Sequence, residues 1–193
     1  MKLSFDLDGV LCDFSREAIK TIRALYPCYD LPPDYEHTVW SFSNTLTSQE
    51  WEHVFSCMMN QDNFWTHLPA FEENVAAVST YLETHGEQDI YFVTARPDCN
   101  GGSAKSMTAL WLMDHRLPFG NLIVVPSHAA KRDVLAQHGI QAHLDDYAPT
   151  IKACQGLPGL RAYVLDRKYN QGATDLPRVY SAAEYLLEAE LNA

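Results

Sequence analysis

Apolar residues recur at two different spacings along this chain, and each change of spacing marks an element. Leu3, Phe5 and Leu7 alternate with other residues, which predicts a short strand with Asp6 and Asp8 on its opposite face at or just past its C-terminal end. Gly9 then breaks the strand and permits a turn with positive φ. From Asp13 to Leu25 the spacing becomes helical, with Phe14, Ala18, Ile19, Ile22 and Leu25 on one face. Pro27 and the Pro32-Pro33 pair enforce a loop. Thr47, with Glu50 three residues on, reads as a capped helix start that carries Trp51, Val54, Phe55 and Met58 inward. A helix is expected over Glu72 to His85, ended by Gly86.

The second half alternates more cleanly. Strands are expected at 89–94, 121–125, 141–146 and 161–165, with helices at 103–115, 129–138 and 182–191. Strands that alternate with helices imply an α/β chain with a parallel sheet covered by helices on both faces. Residues from about 14 to 72 read as a small helical insertion after the first strand, leaving 1–13 and 73–193 as the core of a single domain. The insertion is rich in aromatics, most of which a small subdomain needs for its own core. A few could instead face the strand ends and stack on a planar group. Phe14 is best placed, then Trp40, then Phe64 and Trp65.

Composition narrows the partners. At 193 residues, with 47% hydrophobic and 20% charged, the chain is an ordinary globular length and mixture. Its net charge of -11 argues against a broad polynucleotide-binding face but not against one small phosphorylated substrate. Cys12, Cys28, Cys57, Cys99 and Cys154 are odd in number and lack Cys-x-x-Cys spacing, which fits reduced thiols. With no basic leader and no membrane-length apolar run, the expectation is a cytoplasmic protein. Oligomeric state is not readable.

Four polar signals fall at the C-terminal ends of four strands: Asp6/Asp8, Thr94/Arg96, Lys131 one loop further on, and Asp145/Asp146. That edge of a parallel sheet is where ligands bind. Two carboxylates about 4 Å apart repel by roughly 4 kcal/mol at an effective dielectric of ~20, so Asp6, Asp8 and Asp146 on one rim call for a cation or a raised pKa. Oxygen-only ligands suit a hard ion such as Mg²⁺, which also bridges phosphoryl oxygens. Lys131 and Thr94 would complete the contacts to a phosphoryl group. Arg132 and Lys105 are competing cations, Arg96 could bind substrate phosphate or form a structural ion pair, and Arg167 and Lys168 read as surface charges.

Phe5-Asp6-Leu7-Asp8-Gly9-Val10, Val93-Thr94-Ala95-Arg96-Pro97, Lys131 and Leu144-Asp145-Asp146 together resemble the four motifs of the haloacid-dehalogenase-like (HAD) phosphohydrolases. The insertion, the tandem Asp and the run Asn63-Phe64-Trp65-Thr66-His67-Leu68-Pro69 resemble the 5'(3')-deoxyribonucleotidases within that superfamily. The resemblance implies a Rossmann-like, HAD-like fold with a helical cap. It implies Asp6 as nucleophile and Mg²⁺ ligand, forming an aspartyl-phosphate. Asp8 would be the acid and base, with its backbone carbonyl on the metal. Thr94 and the Ala95 amide would hold the phosphoryl, Lys131 would pair with Asp6, and Asp146 would complete the metal shell. Asp145 would be a further ligand or stand behind one. Ala95-Arg96 departs from the Ser-Pro pair of animal nucleotidases, so Arg96 and Ala95 are candidate substrate contacts with Phe14 and Trp40. The expected activity is Mg²⁺-dependent hydrolysis of a nucleoside monophosphate. A sugar phosphate substrate and a non-catalytic phosphate-binding module are the alternatives.

Overall fold

The computed structural model describes residues 1–192. Strands β1 (Leu3–Phe5), β2 (Ile90–Thr94), β3 (Leu122–Val124), β4 (Ala142–Asp145), β5 (Arg161–Leu165) and β6 (Arg178–Val179) form one sheet in the order β3-β2-β1-β4-β5-β6. Every pairing is parallel. The chain runs outward from β1 to β3 and then crosses back to β4, so the strand order reverses beside β1. In such sheets the crevice at that reversal is the ligand site. Phe5 pairs with Leu144, and one further step in this register sets Asp6 beside Asp145.

Seven α-helices occur among the described residues, besides three short 3-10 turns: α1 (Phe14–Leu25), α2 (Ser48–Met59), α3 (Glu72–His85), α4 (Ala104–Asp114), α5 (His128–Gln137), α6 (Ala148–Cys154) and α7 (Ala182–Leu191). Side chains of successive strand residues point to opposite faces. Phe92, Tyr163 and Leu165 accordingly join an apolar cluster with α3, α4 and α7, while Val93, Ala162 and Val164 join another with α5 and α6. α1 and α2 contribute Ile19, Ile22, Val54 and Met58 to the first cluster, so the segment between β1 and α3 is continuous with the sheet's core. Thr47 and Glu50 form the expected capping box on α2. No described helix is long and apolar enough to cross a membrane.

Helices α3 and α7 have the expected bounds, and strand ends differ by a residue or two. Three features were not anticipated. α6 begins with Ala148-Pro149, where proline is tolerated in the first turn rather than breaking the helix. β6 has two residues, too few for a period. β1 stops at Phe5 and is buried on both faces, Ser4 included, so its alternation is a chance of composition rather than a wet face.

Candidate active site

The loop after β1 aims the first carboxylates. The Leu7 carbonyl accepts from the amides of Val10, Leu11 and Cys12 at 3.1, 2.8 and 2.7 Å, which folds the chain tightly back on itself. Gly9 sits at φ 76° inside this turn. A Cβ there would overlap the Asp146 carboxylate and lie 2.8 Å from the Tyr169 hydroxyl, so glycine is required on two counts.

Asp6, Asp145 and Asp146 meet at the crevice, each with a carboxylate oxygen within 4.8 Å of the others. All three are buried, as is Lys131 on the first turns of α5. Lys131 Nζ lies 2.7 Å from Asp145 Oδ2 and 2.9 Å from Asp6 Oδ1. Arg132 and Lys105, the competing cations, are exposed. Behind the ion pairs runs a buried polar chain: His143 Nε2 is 3.3 Å from Asp145 Oδ2, and His143 Nδ1 is 2.8 Å from Ser4 Oγ. Asp145 Oδ1 accepts from the Tyr147 amide at 2.8 Å. Asp145 is therefore fully engaged on the protein side.

Its neighbours are not. Asp6 Oδ1 faces Lys131 out of hydrogen-bond alignment and has no hydrogen-bond donor, and Asp146 Oδ1 has none either. Asp146 Oδ2 accepts from the Tyr169 hydroxyl. Burial pushes Asp6 up to about 7 despite Lys131, with Asp145 and Asp8 adding to the rise. Burial, with Asp145 and Asp6, also holds Asp146 well above the carboxylate range. Asp145 moves the other way: burial opposes its ionisation, but Lys131 and His143 overcome it. Asp146 Oδ1, buried without a donor, and the Asp6 carboxylate offer oxygen ligands with no nitrogen or sulfur among them, a set that fits a hard divalent cation. Asp146 is the acid of the tandem pair with an oxygen to spare.

Above these charges opens a cavity of about 250 Å³. Asp6, Asp8, Thr94, Ala95 and Asp146 line its floor, and Phe14, Trp40, Phe42, Trp51, Phe55 and Trp65 line its walls. Phe14 and Trp65 stack at 6.1 Å between centroids. Trp40 packs against Tyr147 and Tyr169 at 4.6 and 5.4 Å. Phe64 is buried behind this wall. Lys131 stands behind the floor, joined to it through Asp6. Of the two readings of Arg96, a phosphate contact or a structural ion pair, the second holds: it does not reach the cavity surface, and its guanidinium is buried and bound to Asp8. Arg167 is not a free surface charge, because its Nε donates to the Gly9 carbonyl at 2.8 Å and its guanidinium covers Phe71. Lys168 is exposed and pairs with Glu36.

Residues 1–191 match the family described as 5' nucleotidase, deoxy (pyrimidine), cytosolic type C protein. The chain belongs to this family. It is a phosphomonoester hydrolase of the 5' nucleotidase type with a HAD-like α/β fold. Solved structures agree on the fold. A putative β-phosphoglucomutase from Thermotoga maritima superposes with a TM-score of 0.59 at 15% identity, covering 100% of both chains. A hydrolase from Pseudomonas syringae gives 0.55 at 14%, covering 100% of this chain and 98% of that one. A HAD-superfamily hydrolase from Geobacter sulfurreducens gives 0.55 at 13%, covering 97% and 95%. No curated protein matches the sequence significantly.

Several cavity residues escaped the sequence reading. Trp51 and Phe55, expected to face inward with Val54 and Met58, stand four apart on α2 and are only half-buried, because they line the cavity while Val54 and Met58 fill the core. His37 and Phe42 come from loops and Tyr169 from a three-residue 3-10 turn (Lys168–Asn170), all too short for a period to read. Phe42 adopts φ 55°, a conformation costing a bulky residue roughly 1 kcal/mol or more. The stacks with His37 at 4.2 Å and Trp51 at 5.3 Å hold it there.

Proposed function

We propose that the protein is a Mg²⁺-dependent nucleotidase that removes the phosphate of a deoxyribonucleoside monophosphate through an aspartyl-phosphate on Asp6. The observation that supports this reading best is the joining, in one cavity, of an oxygen-only acidic floor backed by Lys131 to walls of aromatic rings. The family's own description supplies the pyrimidine base and the deoxy sugar as the first substrates to try. On this reading 14–72 is the cap and 1–13 with 73–193 the core.

The Asp6 and Asp146 carboxylates, with the Asp8 backbone carbonyl, would hold the ion. When bound, Mg²⁺ supplies positive charge to the phosphoryl oxygens and to the crowded acids. Asp6 attacks phosphorus, and the ester P–O bond breaks as the leaving oxygen takes a proton from Asp8. Water then attacks the acyl phosphate and gives its proton to Asp8, freeing phosphate and restoring Asp6. Lys131 offsets the charge of Asp6 and the phosphoryl group, Asp145 keeps Lys131 aimed, and the Thr94 hydroxyl and Ala95 amide hold the phosphoryl oxygens. Phe14 and Trp40 stack on the base, and the apolar walls exclude water from the acyl phosphate.

The test is inorganic phosphate release from a panel of deoxyribonucleoside, ribonucleoside and sugar monophosphates, with Mg²⁺ or with chelator. Metal-dependent release favouring deoxyribonucleotides is expected. Release mainly from sugar phosphates would overturn the substrate and leave the chemistry. No release from any compound would leave a non-catalytic phosphate-binding module.

A further inference from the structure

Arg96 follows the polar end of β2, where a cation is expected to meet an anionic substrate. It is instead withdrawn from the cavity surface and only 3% exposed. Its Nε donates to Asp8 Oδ2 at 2.8 Å and its Nη2 to Asp8 Oδ1 at 2.7 Å. Nη1 donates to Thr108 Oγ1 on α4 at 3.0 Å, and Nη2 also reaches Cys12 Sγ at 3.2 Å. The guanidinium lies 4.7 Å from the Trp65 ring, itself a cavity wall. Four of its five N–H donors are therefore spent on protein groups, and it is held by the β1 loop, α4 and the cap at once.

Asp8 is the other half of this fork. Its side chain is 18% exposed and lines the cavity, while both its oxygens accept from Arg96. A bidentate guanidinium takes one lone pair from each carboxylate oxygen and leaves one on each. It also prevents the carboxylate plane from turning unless two charge-assisted bonds break together. A proton passed to or from Asp8 must then travel along a direction that Arg96 has fixed.

We propose that Arg96 is the positioning residue for Asp8: it fixes the orientation in which Asp8 exchanges its proton with the leaving oxygen and takes no part in holding the substrate's phosphate. This rests on the phosphotransfer reading above. When Asp6 attacks phosphorus and the ester P–O bond breaks, the electron pair goes to the leaving oxygen. That oxygen takes the Asp8 proton, and the new Asp8 carboxylate is met by Arg96. Lysine could supply the charge but only one prong of the fork.

The experiment compares single-turnover release of the leaving group from a nucleoside monophosphate, whose alkoxide needs a proton, and from p-nitrophenyl phosphate, whose phenolate needs little help. Arg96→Met should slow nucleoside release about tenfold or more and nitrophenol release by less than about threefold, within the range for a disturbed general acid. Arg96→Lys should fall between wild type and Arg96→Met, and it carries the comparison if Arg96→Met does not fold. Added to Asp8→Asn, either substitution should cost less than about threefold further, because the two residues act as one unit. Equal losses on both esters would overturn the proposal in favour of a phosphate contact or a structural role. So would additivity with Asp8→Asn, or faster nucleoside release by the Arg96 variants. A wild-type protein that releases neither leaving group would overturn the phosphotransfer reading itself, and the role of Arg96 with it.

Discussion

The floor and the walls of the cavity are built in opposite ways. The floor hangs on β1, β2 and β4, and its acids are fixed from behind, Asp6 by Lys131 at 2.9 Å, with Asp145 holding Lys131 at 2.7 Å. The walls come from α1, α2 and the short segments that carry Trp40, Phe42 and Trp65, and they are aromatic rings packed on one another at centroid distances from 4.2 Å upward, with Trp65 also under Arg96 and donating to the Pro97 carbonyl at 2.9 Å. Sheet register fixes where the floor residues sit, as charge-based chemistry demands when a misplacement of about 1 Å can cost about 10²-fold. Stacking tolerates more freedom, so a wall can be assembled from segments without a fixed period. Damage to the floor should therefore reduce turnover, and damage to the walls should reduce selection between substrates.

Asp6→Asn tests the floor most severely. It removes the nucleophile but leaves the walls untouched. The expected loss in kcat is ~10⁴-fold or more, while nucleotide binding measured by calorimetry persists. A residual rate within tenfold of wild type would mean that Asp6 is not the attacking group. Gly9→Ala should come next. The added methyl cannot coexist with the Asp146 carboxylate as placed, and the residue must hold φ 76°. A shift of the floor by about 1 Å predicts a loss near 10²-fold in kcat, with a destabilisation of about 1–3 kcal/mol by thermal melting. An unchanged kcat would show that Asp146 has freedom to move aside.

The same contrast explains what was legible. Asp6, Lys131 and Asp146 stood out in the sequence because strands end where their apolar run ends, and a parallel sheet gathers those ends along one edge. Arg96 was visible as a charge but not as the partner of Asp8. Nothing in the order of residues says that Thr108, twelve positions on, and Cys12, far upstream, would draw the guanidinium behind the cavity wall. Tyr169 and His37 were invisible for the same reason. His37 lies on a loop and Tyr169 on a single 3-10 turn, far apart in the chain, and they meet at 4.4 Å only once the fold is complete. Arg167 was misjudged because a charge after a strand reads as solvated, whereas its guanidinium is used against Gly9 and Phe71.

The walls can be probed with Phe14→Ala and Trp40→Ala. Each removes one ring from the cavity without touching an acid. KM for nucleoside monophosphates should rise about tenfold, some 1.4 kcal/mol of lost stacking, and KM for p-nitrophenyl phosphate by less. Equal rises for both substrates would mean that these rings shape the cavity without reading the base. The Trp40 effect should be the smaller, because the residue remains 36% exposed.

The smallest expected effect concerns whether the walls are dry. His37 lies between Phe42 and Tyr169, and burial holds its imidazole down at about 4 from an ordinary 6.5, with Glu36 pulling weakly the other way. A base whose folded pKa is depressed contributes stability that is complete above its unfolded pKa and lost as pH falls toward the folded value. The window is therefore pH 6.5 down to about 4, and the loss across it can reach ~3 kcal/mol. Carboxylates titrate in the same range, but they do so equally in His37→Phe, which keeps a flat ring in the stack and has no proton to take up. Urea unfolding of both proteins at pH 7.5 and 4.5 isolates the difference, and wild type should lose about 1–3 kcal/mol more than the variant. Equal losses would mean that water reaches the imidazole. A wet wall stacks a base more weakly than a dry one, so that result would also predict a shrinking KM effect for Phe14→Ala, and the division of labour between floor and walls would lose its sharper half.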